Sequence, residues 1–276
     1  MRVIIATDLS GASLAAVASV TTCSPVDFSA VVLVHAVDLD LYTAGGTVPA
    51  VLELAEQSLG EIAESLRASG FEVTVRAEVG RATEVIERVA AEEDIDLVVM
   101  SNLGKGAVSG RLLGSTAENI ASSGRLPVLI ERVREDAGAW CRIAECHPFG
   151  KVLVGADLSE SLREQLALVG RLPGLGAVRV LHVTDADADQ TAILERVETL
   201  MADARESGMS PEVALRIGTD PASELLAEAA EWGATLIAVS PRTHGLLHRA
   251  LWGSTARSLA KEGSVPVLFV PPGDEL

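Results

Sequence analysis

The chain has 276 residues, of which 48% are hydrophobic, and a mean hydropathy of +0.32, so it can fill a core and is not disordered as a whole. Its length fits one large domain or two of average size. A net charge of −17 excludes general binding to nucleic acid or anionic membranes, because phosphate groups repel such a surface, but a single nucleotide needs only a local cluster of donors.

The first half of the chain alternates predicted strands with predicted helices. Apolar or alternating runs predict strands at residues 2–7, 30–37, 71–79, 95–101 and 127–130. Apolar residues at helical spacing predict helices that begin near Gly11, Val48, Ala82 and Ser115. The aliphatic composition, with only 3% aromatic residues, is typical of a buried parallel sheet covered by helices.

The second half repeats the order of the first. Asp8 and Asp157 each open an Asp-Leu-Ser sequence after a strand and lie 149 positions apart (157 − 8). Gly80 and Gly218 lie 138 positions apart (218 − 80), because the first copy carries extra residues around 38–50. The repeat indicates a duplicated domain.

Each half therefore predicts an α/β fold with the pattern βαβαβαβαβ. We expect a Rossmann-like, doubly wound parallel sheet of five strands in each copy, in the common order 3-2-1-4-5. The predicted domains are residues 1–133 and 150–276. The polar segment 134–149, which has no clear periodicity, is the predicted linker.

Neither a membrane span, a disulfide framework nor a metal site is predicted. No apolar run approaches the ~20 residues that cross a bilayer, and the N-terminus enters a strand pattern without a signal peptide, so we expect a cytoplasmic protein. Cys23, Cys141 and Cys146 are too sparse and odd in number for a disulfide framework. Cys141, Cys146 and His147 lack a second pair of ligands, so they are interpreted as ordinary residues of a connecting segment.

The most distinctive stretch runs from the fourth strand into the fourth helix. It contains Gly104, Gly106, Gly110 and Gly114. Glycines let the backbone approach an anion closely, and a helix N-terminus offers free amides and a favourable dipole. Four glycines lose much backbone entropy on folding, which an anion contact explains and a simple turn does not require. The stretch predicts a phosphate cradle, and residues 240–255 form an altered second copy.

A ligand is predicted at the carboxyl ends of the first and fourth strands. In an open α/β sheet, ligands bind where the loops of two adjacent strands diverge to opposite faces. The first strand ends at Asp8 and the fourth at Ser101. We expect the Asp8 carboxylate to hold a base or sugar, at a distance from phosphates that Gly104 and Gly114 hold.

Several of these residues also have purely structural explanations, which stay open. Asp8 is placed to cap a helix, and Ser115 with Glu118 matches a capping box. His35 and His182 occupy the same place in the two copies and are interpreted as packed structural residues.

Together these features resemble the universal stress protein family in its tandem, two-domain form, over essentially the whole chain. The motifs that carry the resemblance are the strand end Thr7-Asp8-x-Ser10, the strand with His35 followed by Val37-Asp38, and the late loop. The nucleotide-binding branch of the family carries Gly-x2-Gly-x9-Gly-Ser/Thr in that loop. The first copy reads Ser101-x2-Gly104-x9-Gly114-Ser115, and the second reads Ser240-x2-Thr243-x9-Gly253-Ser254.

The resemblance implies that an adenine nucleotide, ATP or AMP with or without Mg²⁺, binds mainly in the first domain. The residues implicated there are Ala6, Thr7, Asp8, Ala36, Met100, Ser101, Gly104, Gly114, Ser115 and Thr116. A weaker, degenerate second site is implied at Asp157, Val183, Val239, Ser240, Gly253, Ser254 and Thr255. Serine at position 101 either crowds the phosphates or adds a hydroxyl donor. Thr243 is expected to close the second pocket, whereas its basic neighbours would attract an anion: Arg242, His244, His248 and Arg249.

The implied function is that of a stress-response or regulatory protein, not an enzyme. The sequence has no Walker Gly-Lys-Ser/Thr, no pyrophosphatase loop and no obvious base for hydrolysis. Two alternatives stay open: a slow ATPase or other adenine-nucleotide enzyme, and an interaction scaffold that binds no nucleotide. Copies in the family pair through their last strands, here 127–132 and 266–270, so the two domains are expected to pair within the chain. Formation of a homodimer is left open.

Overall fold

Two compact units make up the folded chain. The structure, a computed structural model, describes residues 1–21, 28–39, 47–104, 113–143, 147–241 and 253–272. Unit 1 comprises Met1–Ile120 together with Glu131–Ile143, and unit 2 comprises Ala121–Ile130 together with Ala144–Leu276. Within the described ranges, no helix is both long enough and apolar enough to cross a membrane.

From residue 2 to residue 131 strands and helices alternate as predicted, with ends shifted by a residue or two. The strands are β1 Arg2–Ala6, β2 Ala30–Val37, β3 Val73–Val79, β4 Leu97–Ser101, β5 Val128–Glu131, β6 Val133–Asp136, β7 Ala139–Arg142, β8 Lys151–Ala156, β9 Ala177–Thr184, β10 Glu212–Ile217, β11 Leu236–Val239 and β12 Val267–Phe269. The helices are α1 Gly11–Thr21, α2 Val48–Ala68, α3 Ala82–Glu92, α4 Ser115–Ser123, α5 Ser161–Gly170, α6 Gln190–Leu200, α7 Ala202–Glu206, α8 Pro221–Trp232 and α9 Ser254–Glu262.

Unit 1 contains a parallel sheet in the order β3-β2-β1-β4. Strand β1 is central, and its Ile4 pairs in register with Val32 of β2 and Val98 of β4. These three residues are buried, because helices cover both faces of a doubly wound sheet. The order places the carboxyl ends of β1 and β4 side by side, where the sequence predicts a ligand.

Unit 2 contains the second copy of the sheet. Its strands follow the order β10-β9-β8-β11-β12, which confirms the predicted order 3-2-1-4-5 for the second repeat. Strand β12 also pairs antiparallel with β5, and Leu268 lies opposite Leu129 in that register. The residues of β5 in this register belong to unit 2, so pairing of the two predicted domains stays a prediction.

A β-hairpin in unit 1 occupies the start of the predicted linker, 134–149. Strands β6 and β7 pair antiparallel, and the turn residues Ala137 and Gly138 have φ values of 48° and 83°, as a type I′ turn requires. Each strand has only four residues, which is too short for a periodic pattern to be recognised in the sequence. The hairpin is therefore a structural element that the sequence analysis does not predict.

Trp140 of β7 packs against the first turn of α1. A Cβ atom at Gly11 would lie 2.5 Å from Cδ1 of Trp140, closer than two carbon atoms approach without displacement. Glycine at this position therefore lets the indole contact the helix backbone. The contact holds the hairpin against the segment that follows β1, which carries Asp8.

We expect Gly11→Ala to lower the free energy of unfolding by about 1–3 kcal/mol, because the new methyl group overlaps the indole. The matched control is Gly60→Ala in α2, where nothing lies within 4 Å of the added Cβ. That substitution should stabilise the protein by about 0.5–1 kcal/mol through helix propensity. Urea unfolding followed by circular dichroism measures both. If Gly11→Ala were equally destabilising in a Trp140→Ala background, the proposed contact would not be its cause.

Candidate functional site

A cavity of about 960 Å³ opens in unit 1 at the carboxyl ends of the sheet strands. It is lined by the ends of β1, β2 and β4 and by residues from helices α1 to α4. All ten residues predicted for the first nucleotide site line this one cavity: Ala6, Thr7, Asp8, Ala36, Met100, Ser101, Gly104, Gly114, Ser115 and Thr116. The structure thus brings the predicted set together, and nucleotide binding by that set stays a prediction.

The segment after β1 is held by side-chain hydrogen bonds to its own backbone. The Ser10 N–H donates to Oδ1 of Asp8 at 3.0 Å, and the Ser13 N–H donates to Oγ of Ser10 at 3.2 Å. Ser10 therefore caps α1, while Asp8 closes an Asx turn before the helix. Between them Leu9 adopts φ 64°, a left-handed conformation that is unfavourable for a residue with a Cβ. Capping of α1 does not account for Asp8.

The Asp8 carboxylate touches the start of the glycine-rich loop. An ideal Cβ on Gly104 would lie 2.5 Å from Oδ2 of Asp8, so only glycine permits this approach. The expected distance of the carboxylate from bound phosphates stays a prediction. The contact with Gly104 follows from the sheet order: β1 and β4 are adjacent, so the loops that follow them begin only about 4.8 Å apart.

Ser101, the departure from the family motif, uses its hydroxyl inside the loop. The side chain is buried and its Oγ donates a short hydrogen bond to the Leu103 carbonyl oxygen. The sequence left open whether the Ser101 side chain crowds the phosphates or adds a hydroxyl donor for them. In the structure the hydroxyl donates to the loop backbone and not to a ligand. The bond instead braces the chain between β4 and Gly104.

Asn102 connects three parts of the site and was not singled out from the sequence. Its N–H donates to the Glu131 carbonyl at 2.8 Å, and its own carbonyl accepts from the Gly114 N–H at 2.7 Å. Its side-chain Oδ1 accepts from the Val133 N–H at 3.0 Å. One buried residue thus ties both ends of the glycine-rich loop to each other and to hairpin strand β6. An asparagine in a loop usually suggests a turn, so burial was the missing signal.

Glu131, whose carbonyl accepts from Asn102, and the adjacent Arg132 are buried charged residues. The Glu131 side chain is fully buried and pairs with Arg142 of β7, with 3.2 Å between Oε1 and Nη2. Burial lowers the pKa of the neighbouring Arg132. Breaking a buried ion pair is strongly destabilising, so this pair fixes the hairpin in unit 1.

Helix α4 begins at Ser115, which places Gly114 at the N-cap. The predicted capping box of Ser115 and Glu118 is therefore wrong, because a capping box needs its serine one position before the helix. The Glu118 N–H donates to the Gly114 carbonyl at 3.0 Å as the first helical bond. The preceding amides, of Ser115, Thr116 and Ala117, have no acceptor within the helix, and these three residues line the cavity.

Gly114 has room for a side chain. A Cβ there would come no closer than 3.6 Å to its nearest neighbour, the Asn102 carbonyl oxygen, and its φ is outside the left-handed region. Among the described residues, neither packing nor backbone conformation therefore requires glycine at Gly114.

The two strand histidines have matching structural roles. His35 Nδ1 lies 2.8 Å from the Thr7 carbonyl oxygen, and His182 Nδ1 lies 2.8 Å from that of Ala156. Each donates a hydrogen bond from the second strand of its repeat to the end of the first strand. Their interpretation as structural residues agrees with these contacts.

The second copy of the site is built differently. Asp157 and Ser159 reproduce the turn of Asp8 and Ser10, with 3.1 Å between the Ser159 N–H nitrogen and Asp157 Oδ1. The Ser240 hydroxyl donates to the Val270 carbonyl at 2.9 Å, and Gly253 is the N-cap of α9. The other implicated residues follow these positions: Val183 in β9, Val239 in β11, and Ser254 and Thr255 in the first turn of α9. Arg242, Thr243, His244, His248 and Arg249, like Cys23, Gly106, Gly110 and Cys146, lie outside the described residues.

Arg196 of α6 contacts the turn that follows β8 in the second copy of the site. Its Nε donates to the Leu158 carbonyl at 3.3 Å and its Nη2 to Glu160 at 2.7 Å. The sequences Arg-Ala-Ser-Gly at 67–70 and Arg-Glu-Ser-Gly at 205–208 are 138 positions apart, so Arg196 corresponds to Ser58 (196 − 138 = 58). Ser58 lines the cavity of unit 1. The repeat thus places a long cation in unit 2 where unit 1 has a small hydroxyl.

No group of three or more His, Cys, Asp or Glu residues that could hold a metal ion occurs in the described parts of the chain. The carboxylates that line the cavity, Asp8 and Asp38, come from two different strand ends. Nothing in this geometry adds a metal to the predicted site.

The sequence and structure were compared with known proteins. The sequence model of the universal stress protein family matches residues 1–132 and 148–271. A crystal structure of a universal stress protein from Archaeoglobus fulgidus superposes with a TM-score of 0.74, at 25% identity, covering 99% of this chain and 98% of that one. A Pseudomonas aeruginosa structure of the same family name has a TM-score of 0.63 at 17% identity, with 99% and 94% covered, and supports the fold alone.

Curated relatives match shorter stretches. A universal stress protein of Methanocaldococcus jannaschii is 33% identical over 78 residues, which are 28% of this chain and 48% of that protein. One from Mycobacterium tuberculosis H37Rv is 30% identical over 125 residues, which are 42% of this chain and 46% of that protein. The chain therefore spans less than half the length of these two relatives.

We expect Gly104→Ala to lower the free energy of unfolding by about 1–3 kcal/mol, because its methyl group would overlap the Asp8 carboxylate. Gly114→Ala is the matched control and should lose no more than about 1 kcal/mol, the penalty of alanine at an N-cap. Urea unfolding of the two variants, each also in an Asp8→Ala background, measures the effect. A loss at Gly104 that persists undiminished without the carboxylate would contradict the contact.

Proposed function

The chain belongs to the universal stress protein family, and we propose that it is a stress-response or regulatory protein that binds an adenine nucleotide, ATP or AMP, in unit 1. The observation that carries the proposal is Gly114. Among the described residues, neither packing nor backbone conformation requires glycine there, and it immediately precedes the first amides of α4 at a cavity lined by every residue that the family resemblance implicates in the first domain. A phosphate group accounts for this arrangement, because amides and the helix dipole stabilise an anion.

The cavity suggests how the nucleotide lies. Its phosphates would meet the amides of Ser115 and Thr116 at the N-terminus of α4. Its base and ribose would lie over Ala6, Ala36 and Met100, which are small or apolar and end three adjacent strands. The Gly114 amide is already bonded to the Asn102 carbonyl, so the proposal does not count it as a phosphate donor.

Binding through backbone amides suits an acidic chain. With a net charge of −17, the protein repels anions at long range, and uncharged donors at short range must overcome that repulsion. We propose binding without catalysis. The Asp8 carboxylate accepts from the Ser10 amide and packs on Gly104. It therefore positions the turn and does not serve as a general base.

We propose that unit 1 is the main nucleotide site because Arg196 obstructs the second copy. Its hydrogen bonds to the Leu158 carbonyl and to Glu160 hold the guanidinium over the turn that follows β8. In unit 1, the corresponding Ser58 leaves the equivalent space open, and its hydroxyl donates to the Leu54 carbonyl within α2.

We expect Gly114→Asp to weaken ATP and AMP binding by at least about 100-fold, because a carboxylate would stand about 4 Å from a phosphate. The matched control is Gly253→Asp, at the corresponding N-cap in unit 2, where no described residue lies within 4 Å of the added Cβ. It should bind like the unmodified chain. Isothermal titration calorimetry measures both, and circular dichroism checks that both fold. Unchanged affinity in Gly114→Asp would show that the nucleotide binds elsewhere.

A second prediction tests the obstruction by Arg196. Ser58→Arg should place a guanidinium over the cavity of unit 1, as in unit 2, and weaken AMP binding about tenfold or more, since the ligand must displace it. The control is Ser65→Arg, which adds the same charge to an exposed position of α2 outside the cavity. If calorimetry gave the same affinity for both variants, the side chain at position 58 would not control access.

A further inference from the structure

Arg81 lines the same cavity as the proposed nucleotide site but lies at its other end. It follows β3 and is the N-cap of α3, where its side chain makes no capping hydrogen bond. The guanidinium is exposed, and among the cavity-lining residues of the described chain it is the one cation. The proposed phosphate position at α4 does not involve it.

Helix capping does not explain arginine at this position. Asn, Asp and Ser are preferred at N-caps, and a cation there opposes the helix dipole. The second repeat follows the rule: Asp220 is the N-cap of α8, accepts from the Ala222 N–H at 3.2 Å and accepts from the Ser223 hydroxyl at 2.5 Å. Position 81 thus breaks a local rule that the corresponding position of the second repeat obeys, which is a mark of a functional position.

No described carboxylate neutralises the charge of Arg81. Arginines on the corresponding strand of each repeat are neutralised by carboxylates: Arg76 of β3 pairs with Glu78, Glu92 and Glu93, and Arg216 of β10 pairs with Glu224, Glu228 and Glu231. Arg81 has no hydrogen bond or ion pair with any described side chain, although the protein has 39 acidic residues. Its charge is therefore available to a ligand.

The sheet order separates Arg81 from the phosphate cradle. Strand β3 is three positions from β4 in the order β3-β2-β1-β4, which corresponds to roughly 14 Å across the sheet. A phosphate at the N-terminus of α4 and a group bound by Arg81 are therefore two different parts of the ligand. The strand ends between them, at Ala6 and Ala36, would carry the base and ribose.

We propose that Arg81 is a specificity-determining residue that binds a second anionic group of the nucleotide, a phosphate on the 2′ or 3′ oxygen of the ribose. The inference rests on the proposed nucleotide site of unit 1. A phosphate is favoured over a neutral base carbonyl because an exposed guanidinium gains little from a neutral acceptor that water replaces, whereas guanidinium and phosphate form paired, charge-assisted hydrogen bonds.

Calorimetry with AMP, adenosine 3′,5′-bisphosphate, adenosine 2′,5′-bisphosphate and GMP tests the proposal on the full chain. The unmodified protein should bind one of the bisphosphates about tenfold more tightly than AMP, the size of one charge-assisted hydrogen bond at an exposed site. Arg81→Ser should lose this preference and keep its affinity for AMP within about threefold. Serine improves the N-cap, so the variant should fold at least as well.

The control variant is Arg134→Ser on the hairpin, an exposed arginine 4.0 Å from Asp136 and outside the cavity. It removes the same charge and should retain the bisphosphate preference. Equal affinity of the unmodified chain for AMP and both bisphosphates would overturn the inference, as would a preference that survives in Arg81→Ser. An equal loss for AMP and the bisphosphates in Arg81→Ser would assign Arg81 to a group common to both. A preference for GMP that depends on Arg81 would assign it to the base.

Failure of the underlying site looks different. In that case none of the four nucleotides would bind the unmodified chain, or all would bind equally well to Gly114→Asp. If AMP binding depends on Gly114 but no bisphosphate is preferred, the proposed function stands and only the role of Arg81 is lost.

Discussion

Asn102 holds the site of unit 1 together. Its backbone bonds to Glu131 and Gly114, and its side chain bonds to Val133. Because Gly114 is the N-cap of α4, the bond of 2.7 Å from its amide to the Asn102 carbonyl fixes where the helix starts relative to the end of β4. The first three residues of α4 line the cavity, so Asn102 determines where these proposed donors lie.

The duplication separates the features that both repeats share from those in which they differ. Both repeats share the strand order, the Asp-Leu-Ser turn with leucine at φ 64° or 65°, and the histidine that ties the second strand to the first. Because both repeats contain these features, we assign them to the fold. The repeats differ at the cavity wall, where Ser58 corresponds to Arg196 and the N-cap Arg81 corresponds to Asp220.

The sequence was informative wherever a pattern extended over many residues. Repeated strands, their order and the set of residues around one cavity followed from periodicity, the duplication and the family resemblance. Single contacts did not. The hairpin strands are too short to show a period, the burial of Asn102 depends on Glu131 far along the chain, and the approach of Asp8 to Gly104 depends on the lateral spacing of β1 and β4. Ser115 matched a capping box locally, but the first helical bond of α4 runs from the Glu118 N–H to the Gly114 carbonyl, so Gly114 is the N-cap.

The central claim is that unit 1 holds an adenine nucleotide with its phosphates at the N-terminus of α4. Its most direct test is isothermal titration calorimetry of the unmodified chain with ATP and AMP. The account predicts saturable heat with one nucleotide bound per chain, together with a rise in the unfolding temperature, because a ligand that binds only the folded state stabilises it. No heat and no thermal shift at millimolar nucleotide would contradict it and would favour a scaffold that binds no nucleotide.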